Sequence, residues 1–164
     1  MKLPKRNHMS KNKNLKIYKF YKQKSTFKPN GLWYSYYNSW YKWLDKEQLL
    51  NRFYKYIHHI IINNNSLTNI DKKDINKILI INSIKDFDSF HKRYKIKIDK
   101  YDCINWKLVS KDYGGIEIAP YLLERRKIDW YNTFDIASGC IWNNRIIKST
   151  SIIYEKVDDN YIKV

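Results

Sequence analysis

The sequence predicts a domain of the α+β class, in which mixed and antiparallel strands form one sheet and a few short helices pack against it. The chain has 164 residues, the usual size of one domain with its own hydrophobic core. Some short segments alternate apolar and polar residues, as half-buried strands do, and others repeat apolar residues at helical spacing. The two kinds are interspersed without an internal repeat. We therefore expect one compact domain over residues 15–164.

Residues 1–14 are predicted to form a disordered basic arm. They contain five lysines or arginines and three asparagines, and few apolar residues. Such a composition offers little apolar surface to bury, so burial would not offset the conformational entropy lost on ordering. We expect this arm to be flexible and open to proteases.

Alternation and capping residues define the elements that follow. Residues 15–20 alternate apolar and basic side chains, which predicts a half-buried strand, and Leu32–Tyr36 predicts a second. Asn38 or Ser39 is suited to cap a short helix whose Trp40, Trp43 and Leu44 share one face. Residues 52–62 are aromatic and β-branched; they predict a strand, with a helix as the open alternative.

The second half predicts helices between strands. The apolar run 78–81 is typical of a strand buried on both faces, and Ser83 precedes a helix with Phe87, Phe90 and Tyr94 on its inner side. Residues 105–113 predict another helix, ended by a double glycine before the strand 116–118. The closing strands are predicted at residues 134–142, 152–157 and 161–164.

The composition argues against a membrane-spanning, secreted or metal-binding protein. No stretch has the ~20 apolar residues that a membrane-spanning helix needs, and residues 1–15 lack the apolar core of a secretory signal. Cys103 and Cys140 lie far apart in sequence, so we expect two reduced thiols in an intracellular, reducing compartment (cytoplasm, organelle matrix or virion) and no metal site. His58 and His59 are interpreted as surface or core residues rather than metal ligands.

The formal charge of +16 indicates a polyanionic partner such as RNA or DNA. Only six of the 32 basic residues are arginines, and lysine, asparagine, isoleucine and tyrosine are frequent, as an AT-rich genome would produce. Part of the charge is therefore attributed to codon usage. Weak, salt-sensitive binding of nucleic acid is expected in either case.

Two groups of residues are candidates for a site. Glu117 lies between two isoleucines after a double glycine, so its carboxylate is either functional, paired with a cation, or turned to solvent on an ordinary strand. Seven of the eleven residues from Trp33 to Trp43 are aromatic, a density that suits either a ring-binding pocket or a core with a tyrosine rim.

These segments resemble the poly- and mono-ADP-ribosyltransferase superfamily. Gly31 to Ser35, with Ser39 downstream, is similar to the family's strand of a glycine, an aliphatic, two aromatic and a small residue, and Glu117 is similar to its catalytic glutamate. The resemblance implies a split sheet that binds NAD in a crevice and cleaves it, transferring ADP-ribose to a protein or nucleic acid.

The same resemblance implies roles for individual residues. Glu117 would stabilise the oxocarbenium-like transition state, Trp33 or Tyr34 would line the nicotinamide wall, and Ser35 would bind the carboxamide or ribose. Where the family carries a histidine or arginine on its first strand, the matching strand here offers Tyr18, Lys19 and Phe20. Tyr41 is only a loose substitute for the tyrosine of the family's helix.

A binding function without catalysis is the second hypothesis. A basic domain whose N-terminal arm orders on RNA or DNA and whose aromatics stack on bases would suit an organellar ribosomal protein or a virion component. The segment 130–142 is left without a role; within it Asp135 and Cys140 bracket small residues that permit close backbone approach. A Cys140 nucleophile with a histidine base is not favoured: His8 lies in the predicted arm, His58 and His59 would point to opposite faces of a strand, and His91 is on a predicted helix.

Overall fold

Nine strands form one sheet in the computed structural model of the protein, which describes residues 1–50 and 54–164. A separate two-stranded hairpin, four α-helices and two short 3-10 helices complete the regular structure of the described residues. The α+β class and the single domain predicted from the sequence are confirmed. The strands are β1 (Arg6–Ser10), β2 (Leu32–Tyr36), β3 (Tyr56–Ile62), β4 (Leu67–Thr68), β5 (Asp74–Ile81), β6 (Lys95–Ile98), β7 (Tyr101–Ile104), β8 (Tyr113–Ile118), β9 (Ser138–Ile141), β10 (Ile147–Val157) and β11 (Asn160–Lys163); the helices are α1 (Ser39–Lys46), α2 (Ile84–Tyr94), α3 (Trp106–Asp112) and α4 (Asp129–Asn132).

The sheet has the order β11-β10-β3-β1-β2-β9-β8-β5-β4. Its pairs are antiparallel except for β4 with β5 and β5 with β8, which are parallel. The parallel pair β5 and β8 is joined by a connection that contains α2 and α3, as parallel strands require a crossover. The separate hairpin consists of β6 and β7.

The N-terminal strand β1 lies inside the sheet, between β3 and β2. The prediction that residues 1–14 form a disordered arm is therefore wrong for residues 6–10. Leu3 and Met9, two of the few apolar residues of this segment, are each only 1% exposed and pack with Leu44 and Ile57. Composition alone missed this because β1 gains its stability from hydrogen bonds on both sides, which the partner strands supply.

The predicted strand at residues 15–20 is also absent. Leu15 and Ile17 do point to the core, and they pack against the cluster of Leu32 and Ile60. The segment runs over the sheet rather than within it, and only Phe20 forms a bridge, with Asn143. The period-two alternation therefore predicted a half-buried extended segment correctly. It did not show whether a neighbouring strand would pair with this segment.

Several local predictions are confirmed. Strand β2 has the predicted bounds, Ser83 accepts the Asp86 N–H at 3.1 Å as the cap of α2, and the β10–β11 hairpin turns at residues 158–159.

Other predicted bounds differ from the structure. The double glycine lies inside β8 rather than ending α3, which stops at Asp112. Only residues 138–141 of the predicted strand 134–142 are a strand. Residues 52 and 53 of the predicted strand 52–62 lie outside the described residues; of the rest, residues 56–62 form β3 and residues 54–55 belong to no strand.

The two faces of the sheet are covered differently. One face carries Leu79, Ile116 and Cys140, which pack with α2, α3 and α4 in the largest core cluster. The register of β2, β9 and β8 places Tyr34, Gly139 and Glu117 side by side on the opposite face. Because of this alternation, Glu117 and Trp33, which are discussed below, lie on opposite faces of the sheet.

Removing residues 1–10 should abolish cooperative unfolding, because β1 pairs with two neighbours in the sheet and its loss would expose two strand edges. Removing residues 158–164 is the control, since β11 lies at the edge of the sheet and pairs only with β10. Thermal melts followed by circular dichroism would compare the two deletions. A cooperative transition in the 1–10 deletion at the wild-type temperature would contradict the central position of β1.

Candidate functional site

Glu117, the residue that the sequence singled out, is bound in a buried network. Its side chain lies on β8, and the residue is 2% exposed. The Arg6 Nε donates to Glu117 Oε2 at 2.8 Å, and the Tyr34 hydroxyl donates to the same oxygen at 2.8 Å. Of the three interpretations drawn from the sequence, the structure bears out the ion pair.

Gly139 makes this network sterically feasible. It lies between Tyr34 and Glu117 in register, on the strand that separates them. A Cβ at Gly139 would approach the Tyr34 ring atom Cζ to 2.3 Å. The Tyr34 ring therefore crosses β9 over the glycine to reach the carboxylate.

Two of the groups in this network have altered electrostatics, Tyr34 and Arg6. Burial, followed by the nearby Glu117 charge, raises the pKa of Tyr34 well above its ordinary value, so the phenol remains a donor. The Arg6 guanidinium is always charged and is 8% exposed as a residue. Within the described residues its Nη2 is buried without a hydrogen-bond partner. The carboxylate is thus buried and bound by side chains of two other strands.

Ser35 serves the start of helix α1. Its hydroxyl oxygen accepts the Trp40 N–H at 3.0 Å and donates to the Tyr37 carbonyl at 3.0 Å. The Asn38 side chain, expected to cap this helix, makes no capping bond. Ser39 donates to the Ala137 carbonyl at 2.7 Å and so ties the helix to the segment before β9.

Tyr18 and Tyr41 lie away from the other predicted site residues. Tyr18 is 51% exposed on the segment that runs over the sheet. Tyr41 packs edge-on against Tyr161, with ring centroids 6.1 Å apart, beside β11. Neither residue is among those that line the cleft beside Trp33, described next.

A cleft opens where β1 separates from β2. The two strands pair only at Arg6 with Tyr36 and Asn7 with Ser35, after which β1 continues along β3 alone. The cleft has a volume of about 480 Å³. It is lined by His8, Met9, Lys28, Gly31, Trp33, Trp40, Trp43, Tyr54, Phe134, Asp135, Ile136 and Ser138.

Aromatic side chains dominate the walls of the cleft. Trp33 meets Phe134 edge-on at 5.2 Å between centroids, and Trp40 meets His8 edge-on at 6.4 Å. The Lys28 ammonium lies 5.3 Å from the centroid of the Trp33 ring. Such walls favour a planar ligand, since aromatic faces bind rings by stacking. Of residues 33–43, Trp33, Trp40 and Trp43 line the cleft, whereas Tyr34 is buried elsewhere, and ring binding stays a prediction.

His8 supplies a polar group with a defined tautomer. Its Nδ1 lies 2.6 Å from the Trp33 carbonyl oxygen, which can only accept, so Nδ1 carries the proton and Nε2 the lone pair. Burial lowers the pKa of His8 more than this hydrogen bond raises it, and the nearby His58 lowers it further. The imidazole is therefore neutral at pH 7. Sequence reasoning missed His8 because it fell within the predicted arm.

Asp135 brings the one carboxylate among the lining residues. It is exposed and has a φ of 61°, a conformation that aspartate tolerates better than most residues. The segment 130–142, left without a role by the sequence, thus supplies part of the cleft. Cys140 supplies no thiolate there, since burial raises the pKa of its thiol well above the ordinary value.

Searches of protein families, curated proteins and solved structures find no match to this chain. In the part of the chain that the structure describes, no group of three or more histidine, cysteine or acidic side chains is placed to hold a metal ion. Among the same residues no helix has the length and apolar character needed to cross a membrane. Both cysteines are buried and unbridged.

Glu117→Gln should lower the free energy of unfolding by about 3 kcal/mol, because the buried Arg6 guanidinium would lose its counter-charge. The exposed Glu124→Gln is the matched control and should change stability little. The triple variant Arg6→Met, Tyr34→Phe, Glu117→Leu should recover most of the loss, since it removes every polar partner together. Urea unfolding would measure all three. Wild-type stability in Glu117→Gln would contradict a structural ion pair.

Stability should fall as the pH drops from about 7 to about 5. Burial lowers the pKa of His8, and also of His58, His59 and His91, below the value of an unfolded histidine. The unfolded chain then binds more protons than the folded one. The contribution of these histidines to stability is therefore complete above the unfolded pKa and is lost as the pH falls toward the folded pKa. Urea unfolding at several pH values would measure the slope, which His8→Gln should reduce. An equal slope in the two proteins would show that His8 does not contribute.

Proposed function

We propose that the chain binds NAD in the cleft between β1 and β2 and breaks its bond between nicotinamide and ribose, as ADP-ribosyltransferase-like enzymes do. The observation that carries the proposal is the meeting of Trp33 and Trp40 with His8 and Asp135 around one cleft. Aromatic walls, one carboxylate and one neutral imidazole form a set suited to a planar cationic ring joined to a sugar.

The aromatic walls would hold the nicotinamide ring. A volume of about 480 Å³ lies in the range of small-molecule sites and suits the nicotinamide and its ribose. The ring is cationic in NAD, and an indole face attracts a cation as well as a planar ring. The Lys28 ammonium beside Trp33 offers a positive charge for the pyrophosphate.

The bond to be broken determines what the polar groups would do. As the bond between the ribose C1′ and the nicotinamide nitrogen breaks, its electron pair leaves with nicotinamide, which becomes neutral, and positive charge develops on the ribose. A carboxylate near that sugar stabilises the charge, and Asp135 is the candidate for this role. The acceptor then bonds to C1′ and loses its proton, for which the His8 Nε2 lone pair is available.

The role of the catalytic carboxylate, which the sequence analysis gave to Glu117, is assigned here to Asp135. Glu117 already accepts two hydrogen bonds, and it lies on the face of the sheet opposite to Trp33, because Trp33 and Tyr34 are consecutive residues of one strand. An acceptor of ADP-ribose, protein or nucleic acid, is part of the same proposal.

Asp135→Asn should lower nicotinamide release by at least about 100-fold while NAD binding is nearly unchanged, because the charge matters most in the transition state. Asparagine also tolerates the positive φ of this position. Asp99→Asn is the matched control: Asp99 is exposed, has a φ of 53° and lies in the β6–β7 turn. Trp33→Leu should instead weaken NAD binding by about tenfold or more through lost stacking.

Isothermal titration with NAD and chromatography of released nicotinamide would measure these effects, with thermal melts to establish that each variant folds. Equal nicotinamide release by Asp135→Asn and wild type would overturn the role of Asp135. Wild-type protein that neither binds NAD nor releases nicotinamide in the presence of acceptors would overturn the function.

A further inference from the structure

Residues 11–24 form an extended segment, called here the lysine–aromatic segment, that runs over the sheet and is held by its inward side. Leu15 and Ile17 pack against the core cluster that contains Leu32. The Tyr21 N–H donates to the Trp142 carbonyl at 2.9 Å, and the Asn144 N–H donates to the Lys19 carbonyl at 3.2 Å. The segment is thus ordered, although it belongs to no strand.

The outward side of this segment interleaves charge with aromatic rings. Lys13, Lys16, Lys19 and Lys22 recur at every third residue, and all four are exposed. Between them Tyr18 is 51% exposed and Phe20 is 50% exposed. Large aromatic side chains that fold into an ordered segment and still face solvent indicate a binding surface.

The rings are arranged around a shallow groove. Tyr18 meets Tyr21 edge-on at 5.3 Å between centroids, and the Lys16 ammonium lies 5.2 Å from the centroid of Tyr18. The groove, of about 440 Å³, is lined by Tyr18, Phe20, Tyr21, Lys22, Asn30 and Gly31. Its walls therefore combine exposed ring faces with ammonium groups a few ångströms away.

The charge of the N-terminal part of the chain differs from that of the rest. The first 44 residues contain eleven lysines or arginines and no aspartate or glutamate, so all 16 acidic residues lie from Asp45 onward. Codon usage would enrich lysine throughout the chain, but it does not account for the absence of acids from this part. This excess of positive charge would attract a polyanion.

We infer that the lysine–aromatic segment binds single-stranded nucleic acid, with phosphates on the lysines and bases stacked on Tyr18 and Phe20. The combination of a basic track and exposed rings is what such ligands require, since every unpaired base has a face that can stack. In a duplex these faces are occupied by neighbouring bases, so the rings would contribute nothing to duplex binding. This binding does not depend on the NAD chemistry proposed above.

The test uses the full chain and a fluorescein-labelled oligothymidylate of about 12 nucleotides, a length within the site sizes of known single-strand binders. Fluorescence anisotropy at several salt concentrations would measure affinity. Lys16→Gln, Lys19→Gln and Lys22→Gln together should weaken binding about tenfold or more and reduce the salt slope by about 2. The matched control replaces Lys85, Lys92 and Lys107, three exposed lysines on α2 and α3, and should retain most of the affinity.

The aromatic contribution has its own variant and control. Tyr18→Ala with Phe20→Ala should weaken oligothymidylate binding about tenfold with an unchanged salt slope, because stacking releases no counterions. Tyr101→Ala is the control: Tyr101 is also exposed and has the Lys100 ammonium 5.4 Å from its centroid, but it lies in the β6–β7 hairpin. Both variants should melt as the wild type does.

Three results would overturn the inference. The first is equal loss of affinity in the two lysine triples, which would show binding by net charge alone. The second is a duplex of the same length that binds as tightly as the single strand. The third is full affinity in the Tyr18 and Phe20 variant. None of these outcomes bears on NAD cleavage, which is measured separately.

Discussion

The buried ion pair between Arg6 and Glu117 is the contact that constrains the register of the central strands of the sheet. It joins β1 to β8 across two intervening strands and 111 residues of sequence. Tyr34, on β2, donates to the same carboxylate oxygen over Gly139 of β9. A charge this deeply buried is costly without its partner, so registers that separate Arg6 from Glu117 are disfavoured. Four neighbouring strands are thus held in one alignment by a single carboxylate.

The cleft is a consequence of where that alignment stops. The pairing of β1 with β2 ends one residue after Arg6, and the two strands then separate while β1 stays with β3. His8 bridges the opening by its hydrogen bond to the Trp33 carbonyl. The Arg6–Glu117 ion pair lies at the end where β1 and β2 are paired, and aromatic side chains line the end where the two strands separate. Arg6 of the ion pair and His8 of the candidate site are therefore only two residues apart on the same short strand.

The lysine–aromatic segment shows how a basic, polar stretch can be ordered without a strand of its own. Its alternate residues Leu15 and Ile17 are enough to fasten it to the core, and backbone groups of Lys19 and Tyr21 bond to the segment after β9. Lysines and rings are then displayed at fixed positions rather than on a mobile tail. Because little conformational entropy would remain to be lost, binding there costs less than binding by a disordered arm.

The sequence by itself determined the local elements: the helix capped by Ser83 and the β10–β11 hairpin depend on interactions within a few residues, and the residue pattern of β2 matched its bounds. It also identified Glu117 and the aromatic density after Gly31. Only the tertiary structure decided that β1 is a central strand, that Glu117 meets Arg6 and that His8 joins Trp33 and Asp135 at one cleft. The physical reason is that these contacts are made by residues far apart in the chain, whose hydrogen bonds and burial exist only after the strands have paired.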